Sequence, residues 1–303
     1  MTAQATSPST ASTNRPLNWK ALRVGVGLAY LICEVVVLTT TSPLHGAGPL
    51  TGNLAFAAIG LTASFLAYQN ARSFSSGQTA RWAWILIAAM PLADVVAYTA
   101  YTMPAYLGVQ ARSAAFIVIA TASLSISRIA AAGAFYAMVR VYRRSGLSHR
   151  LVTMDYLVMA LVLVMEVFAL GFSGNRATGG GDPQLAKLIL ITAIPLVIAL
   201  VPCSIFGVII WRYTTEMGGG LVAKAWRGAL LYGVFWLSYL TFNSIVARYF
   251  PFVQGQPLST ANLLVFAFTT WQLKGSEYLI FLGASYQYEA CTSAPDFSSD
   301  LGA

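Results

Sequence analysis

The chain has 303 residues, 57% of them hydrophobic and 9% charged, with a mean hydropathy of +0.67. A soluble globular domain carries roughly 25% charged residues, so ten acids and eighteen bases are too few to cover a water-exposed surface of this size. Composition excludes a soluble enzyme, a nucleic-acid binder and a disordered chain, and the net charge of +8 arises from bases set between apolar runs, not from a basic stripe.

Residues 1–17 are rich in Ser, Thr and Ala, have no apolar face, and are predicted to be disordered. Eight apolar runs follow, each near the roughly 20 residues needed to cross a bilayer core. They span about 21–41, 52–70, 82–103, 112–139, 150–172, 184–211, 226–248 and 259–283. The turns between them hold Pro43 and Gly46, Ser73 to Gly77, Gly174 to Pro183, Gly218 to Gly220, and Pro251 to Pro257. The first run is longer than a signal-peptide core and lacks a small-x-small cleavage site, so it reads as a retained helix. The predicted fold class is an all-α integral membrane protein with eight transmembrane helices. Residues 18–284 form the bundle: an N-terminal helix at 21–41, then a seven-helix part over 52–284. Residues 285–303, with Glu289, Asp296 and Asp300, form an acidic cytoplasmic tail or linker.

Lys and Arg placement predicts orientation. Arg15, Lys20, Arg23, Arg72, Arg81, Arg140, Arg143, Arg144, Arg150, Arg212, Lys224 and Arg227 gather at one set of ends; Arg112, Arg176, Lys187 and Arg248 are at the other. The richer side is cytoplasmic, and an even number of spans puts both termini there. Cys33, Cys203 and Cys291 are too widely spaced to suggest a disulfide framework or a metal knuckle.

Charged groups inside a bilayer are functional candidates by default. Glu34, Asp94, Arg128, Asp155, Glu166, Lys274 and Glu277 lie in or near the runs. For the acids and Arg128 an ordinary reading serves: Asp155, Arg128 and Glu277 near helix ends, Glu34 at a polar cavity or partner chain, Asp94 hydrogen-bonded to a neighbouring Ser or Thr. Lys274 is different, because an uncompensated ammonium at mid-span costs at least about 2.5–3.5 kcal/mol. It must snorkel, pair with Glu277 one turn on, or lose its charge through a pKa shift or a Schiff base with a carbonyl ligand. Taken alone, the residue favours pairing.

Several spans together resemble the microbial (type I) rhodopsins, in which a lysine of the last helix holds retinal. Lys274 stands halfway down the last run. Trp236-Leu237-Ser238-Tyr239 is similar to the Trp-x-x-Tyr of that family's penultimate helix. Tyr98 to Pro104 is similar to the aromatic end of its second helix, and Arg112 with Phe116 is similar to the opening of its third. The resemblance implies a retinal-binding photosensor, a Schiff base at Lys274, and Trp236, Tyr239 and Phe116 along the polyene. Thr270, Asn243 and Ala115 complete the set around the cofactor, and Arg112 organises the outer half-channel. The extra first helix resembles the enzyme rhodopsins, whose retinal controls a fused cyclase or phosphodiesterase.

The departures are equally specific. Where the family has acids, this chain has Ala115 and Thr270, and its pump proton donor would fall near Ile126. Light-driven proton pumping is therefore not expected. A protonated Schiff base needs a negative charge nearby, so either a neutral, near-ultraviolet pigment or a substitute carboxylate follows, with Asp94 ahead of Glu166. No catalytic domain is present, so the chain is expected not to be an enzyme. It is either a module of a longer protein or a stand-alone sensor. The partners that fit are the lipid bilayer, a second copy in a homodimer or other oligomer, and a cytoplasmic effector enzyme, with no nucleic acid.

Two other classes compete. Gly171-Phe172-Ser173-Gly174 resembles the Gly-x-Ser-Gly of rhomboid proteases, but His149 stands at the far end of the same helix, ~35 Å away at 1.5 Å per residue, and His45 is in an outside loop. A transporter or channel is the stronger rival: Arg128, Asp94, Glu166 and Lys274 would line a path, with Pro91, Pro195 and Pro202 breaking helices around a substrate. A chromophore-free scaffold or sensor module is the third.

Overall fold

The computed structural model describes residues 18–40, 48–106, 114–146, 151–178, 183–249 and 260–293. All regular structure among them is helical: α1 (Trp19–Thr40), α2 (Gly48–Arg72), α3 (Thr79–Tyr106), α4 (Ala114–Arg144), α5 (Thr153–Thr178), α6 (Pro183–Glu216), α7 (Leu221–Tyr249) and α8 (Thr260–Ser293). Each apolar run has become one helix. Local chemistry sets several ends. Asn18 Oδ1 accepts from the Ala21 amide at 3.1 Å and caps α1. Asp155, in the first turn of α5, accepts from the Val152 amide at 2.9 Å, which is half of a capping box. Gly146 (φ 83°) and Gly218 (φ 72°) take the left-handed conformation that closes α4 and α6.

Six helices close a ring. The order is α2, α3, α4, α6, α7, α8, and α8 returns to α2. The other two lie outside it, α1 across α2 and α8, α5 across α6 and α7. The ring therefore departs from chain order at α5: despite the short α4–α5 connection, α4 packs on α3 and α6. The outlying helices show apolar side chains outward, Leu28, Leu31, Ile32 and Val35 on α1 and Leu157, Leu161, Val164 and Val167 on α5. Such faces suit hydrocarbon, not water.

Close backbone approach fixes the α7–α8 wall. A Cβ on Gly228 would lie 2.8 Å from the Gly283 Cα and the Leu279 carbonyl oxygen, and one on Gly283 would lie 2.6 Å from the Ala225 carbonyl oxygen. Small residues at a crossing let membrane helices approach until backbones touch. On the ring's inner side α2 offers Ala63, Ala67 and Ala71, all buried.

Four helices among the described residues are long and apolar enough to cross a membrane: Gly52–Arg72, Thr79–Ala100, Ala115–Arg144 and Ile198–Glu216. Eight helices stand where eight spans were expected, and among the described residues these four are long and apolar enough to cross. The shortfall has a local reason in α8, where Gln272, Lys274, Ser276 and Glu277 stand together mid-helix. The last helix outruns its apolar run, and one further expectation is corrected. α8 runs to Ser293, so the segment after 284 starts as helix, and its Glu289 pairs with Arg23 of α1. Pro91, Pro195 and Pro202 break nothing: α3 and α6 run through them. The predicted disordered segment 1–17 lies outside the described residues.

Candidate functional site

Lys274 is paired across helices. Its Nζ is 2.6 Å from Glu34 Oε1 on α1, and the residues are 1% and 5% exposed. The expectation of a same-helix partner is thus corrected: Glu277, one turn on, turns its carboxyl toward Gly60 of α2, while the partner, Glu34, comes from the other end of the sequence. Neighbouring polar contacts hold α1 in the register that makes this pair. Tyr30 Oη donates to the Trp271 carbonyl at 2.8 Å, Tyr278 Oη donates to the Arg23 carbonyl at 3.0 Å, and Arg23 Nε donates to Ser285 Oγ at 2.8 Å. Gly27 lets Tyr278 lie flush on α1, since a Cβ there would meet its hydroxyl at 2.5 Å. Phe235 and Tyr30 pack against Gly275, the next residue of α8.

A second polar cluster occupies the middle of the ring. Arg128 (α4) sends Nη2 to both carboxylate oxygens of Asp94 (α3) at 3.4 Å. Tyr232 (α7) donates its hydroxyl to Asp94 Oδ2, and Ser127 Oγ stands 3.2 Å from that hydroxyl. The guanidinium carbon lies 4.5 Å from the Trp236 ring centroid, a cation–π contact. Arg128 is 4% and Asp94 1% exposed, so neither reaches water at a helix end, and Asp94 has the expected serine neighbour on the next helix, Ser127, in addition to a guanidinium and a phenol. Glu277 lies buried against Gly60 and Val95, and neither carboxyl oxygen has a hydrogen-bond partner among the described residues.

A third feature is a cavity of about 670 Å³ enclosed by α4, α5, α6 and α7. Arg128 and Trp236 form its deep wall, and Asp155 lines it together with Arg212, whose Nε donates to the Asp155 carboxylate. Glu166 (α5) lines it too, with one oxygen accepting from Ser204 Oγ and the other unpartnered among the described residues.

The residues expected at one ligand are divided between these places. Lys274 faces α1. Trp236 faces Arg128 and the cavity, with Tyr239 edge-on to it at 5.4 Å. Asp94 and Glu166, the two expected counter-charges, partner Arg128 with Tyr232 and Ser204 respectively, and neither partners Lys274. Phe116 is half-buried and Ala115 exposed at the start of α4, neither lining the cavity. Arg112, His45 and His149 lie outside the described residues, as do the side chains of Thr270, Asn243 and Ser173. Glu34 is the site residue that sequence reading underrated. Its signal was an acid in an otherwise apolar run, but nothing local tied it to Lys274. No family model, curated protein or solved structure matches this chain.

Proposed function

We propose that this protein is a membrane photosensor in which Lys274 holds retinal as a Schiff base and Glu34 supplies the opposing charge. The reading rests on the buried Lys274–Glu34 pair, because it gives the lysine required by the resemblance a carboxylate at 2.6 Å. The pair fits a Schiff base in charge. The aromatic wall fits less closely: Trp236 and Tyr239 lie on the Arg128 side, and Phe235 and Tyr30 pack at Gly275, one residue along α8.

Retinal, when bound, supplies a light-driven isomerisation; the rest is done by residues of this chain. Lys274 fixes the cofactor to α8. Glu34 neutralises the positive nitrogen in a low-dielectric site, where an unpaired charge is costly. Arg23, Tyr30 and Tyr278 tie α1 to α8 on either side of the pair, so a change in the Lys274–Glu34 contact bears on the whole α1–α8 seam. That seam reaches Glu289 and the last turns of α8, where a cytoplasmic effector enzyme would receive the signal. In this reading all eight helices span the bilayer, with the base-rich ends and both termini in the cytoplasm.

Purified full-length protein incubated with all-trans retinal should develop an absorption band that Lys274→Ala abolishes. Glu34→Gln should shift that band toward the near-ultraviolet, since the counter-charge is gone. A band indifferent to Glu34→Gln would overturn the role of Glu34. Absence of any band in well-folded protein would overturn the retinal reading and favour a transporter or channel, or a chromophore-free scaffold.

A further inference from the structure

The cavity between α4, α5, α6 and α7 stands apart from Lys274, which does not line it. Its volume of about 670 Å³ is that of a site for one drug-sized molecule. Most of the wall is apolar, with Met165, Leu200, Val208 and Leu237 among its residues. The outer edge is formed by Met154 and Val158 of α5 and Val234 of α7, which also show on the surface of the bundle. Because α5 lies outside the ring, these exposed lining residues, with Trp211 of α6, put the cavity's edge on the outer surface of the bundle, the side where lipid would be.

One polar demand in the wall is unmet. Glu166 is 5% exposed, and Ser204 satisfies only one of its oxygens. A buried acceptor left without a donor carries a desolvation penalty that a bound donor relieves. A pure hydrocarbon would fill the space and leave that oxygen unmet. An anion would meet Glu166 and Asp155. A cation would meet Arg128 and Arg212, which balance the two acids in the same wall. A neutral donor on an apolar body satisfies every surface.

We infer that this cavity binds an elongated apolar alcohol, which enters from the outer surface of the bundle and donates its hydroxyl to the unpartnered oxygen of Glu166. The site is independent of the retinal reading and survives its failure.

The test uses full-length protein in phosphatidylcholine nanodiscs and a long-chain alcohol carrying a diazirine near its tail. Photolabelling should fall on lining peptides of α5, α6 and α7, and unlabelled dodecanol should compete about tenfold better than dodecyl methyl ether, the difference expected from one buried hydrogen bond. Two variants separate space from recognition. A Cβ on Gly233 meets nothing within 4 Å and the residue lines the cavity, so Gly233→Phe takes up space there and leaves the Glu166 acceptor in the chain. Glu166→Leu removes the acceptor and leaves the space. Each should lower labelling about tenfold in protein that remains monodisperse. Labelling spread equally over the lipid-facing peptides of α1, or competition by the ether equal to that of the alcohol, would overturn the proposal and show a crevice filled by acyl chains. If neither variant folds, the competition between alcohol and ether decides alone.

Discussion

Arg128 has neighbours of two kinds, the Asp94 carboxylate and the Trp236 ring face, and Tyr232 adds a hydrogen bond to each end of the ion pair. A buried pair of this type contributes little net stability, yet removing one member is expensive because the other stays buried and charged. Asp94→Asn should therefore destabilise the protein by about 3–5 kcal/mol, while Asp94→Leu combined with Arg128→Met should recover most of that loss. Equilibrium unfolding in mixed micelles reads both. A single-variant loss no larger than that of the double variant would mean that Arg128 already reaches water. Legibility in the sequence differs between members of such pairs. Lys274 is conspicuous, since an ammonium in the middle of a long apolar run demands an explanation. Its partner is hidden: Glu34 and Lys274 are separated by most of the chain, and pairing across helices leaves no periodic trace. The same holds for Asp94 with Arg128, which read as isolated charges until the α3–α4 contact brought them together.

Helices were legible where residues were not. An apolar run of about 20 residues bounded by Gly, Pro or Ser can satisfy its backbone in a bilayer only as a helix, so helix number follows from the runs. Their ends depend on smaller signals, and α8 outran its apolar stretch because Ser285 and Glu289 find Arg23 on α1. Packing order was not legible: short connections suggest chain neighbours, but α5 lies outside the ring. The glycines mark where helices come closest. Gly228→Ala and Gly283→Ala should each cost about 1–3 kcal/mol or more, because the new methyl group meets backbone that cannot move aside. Gly233→Ala, on the same helix as Gly228 but with open space around its Cβ, should be neutral or stabilising by up to about 1 kcal/mol through helix propensity alone. Thermal unfolding of the three variants checks the contrast. Equal effects at Gly228 and Gly233 would mean that α7 and α8 are further apart than the backbone contact requires.

For the molecule as a whole, the deciding quantity is how many helices cross the bilayer. Four pass on length and hydropathy alone, and two of the polar residues that weaken α8 as a span meet partners inside the bundle: Lys274 with Glu34, Gln272 with Ser238. A helix whose polar groups are satisfied by neighbours needs less hydropathy of its own, since lipid meets only its outer face. Eight crossings, as proposed, would place the connections alternately on two sides, with the base-rich ones in the cytoplasm. Single cysteines introduced into a chain whose three native cysteines are replaced should report this directly. Gly77→Cys and Gly219→Cys should react only with reagent on the cytoplasmic side, and Gly180→Cys and Gly255→Cys only with reagent outside. Gly180→Cys reacting from the cytoplasm would mean that α5 does not cross, and Gly255→Cys doing so would remove α7 and α8 as spans. In the second case Lys274 would no longer sit at mid-membrane, and its burial against Glu34 would be that of an ordinary ion pair between helices, with no need for a cofactor to explain it.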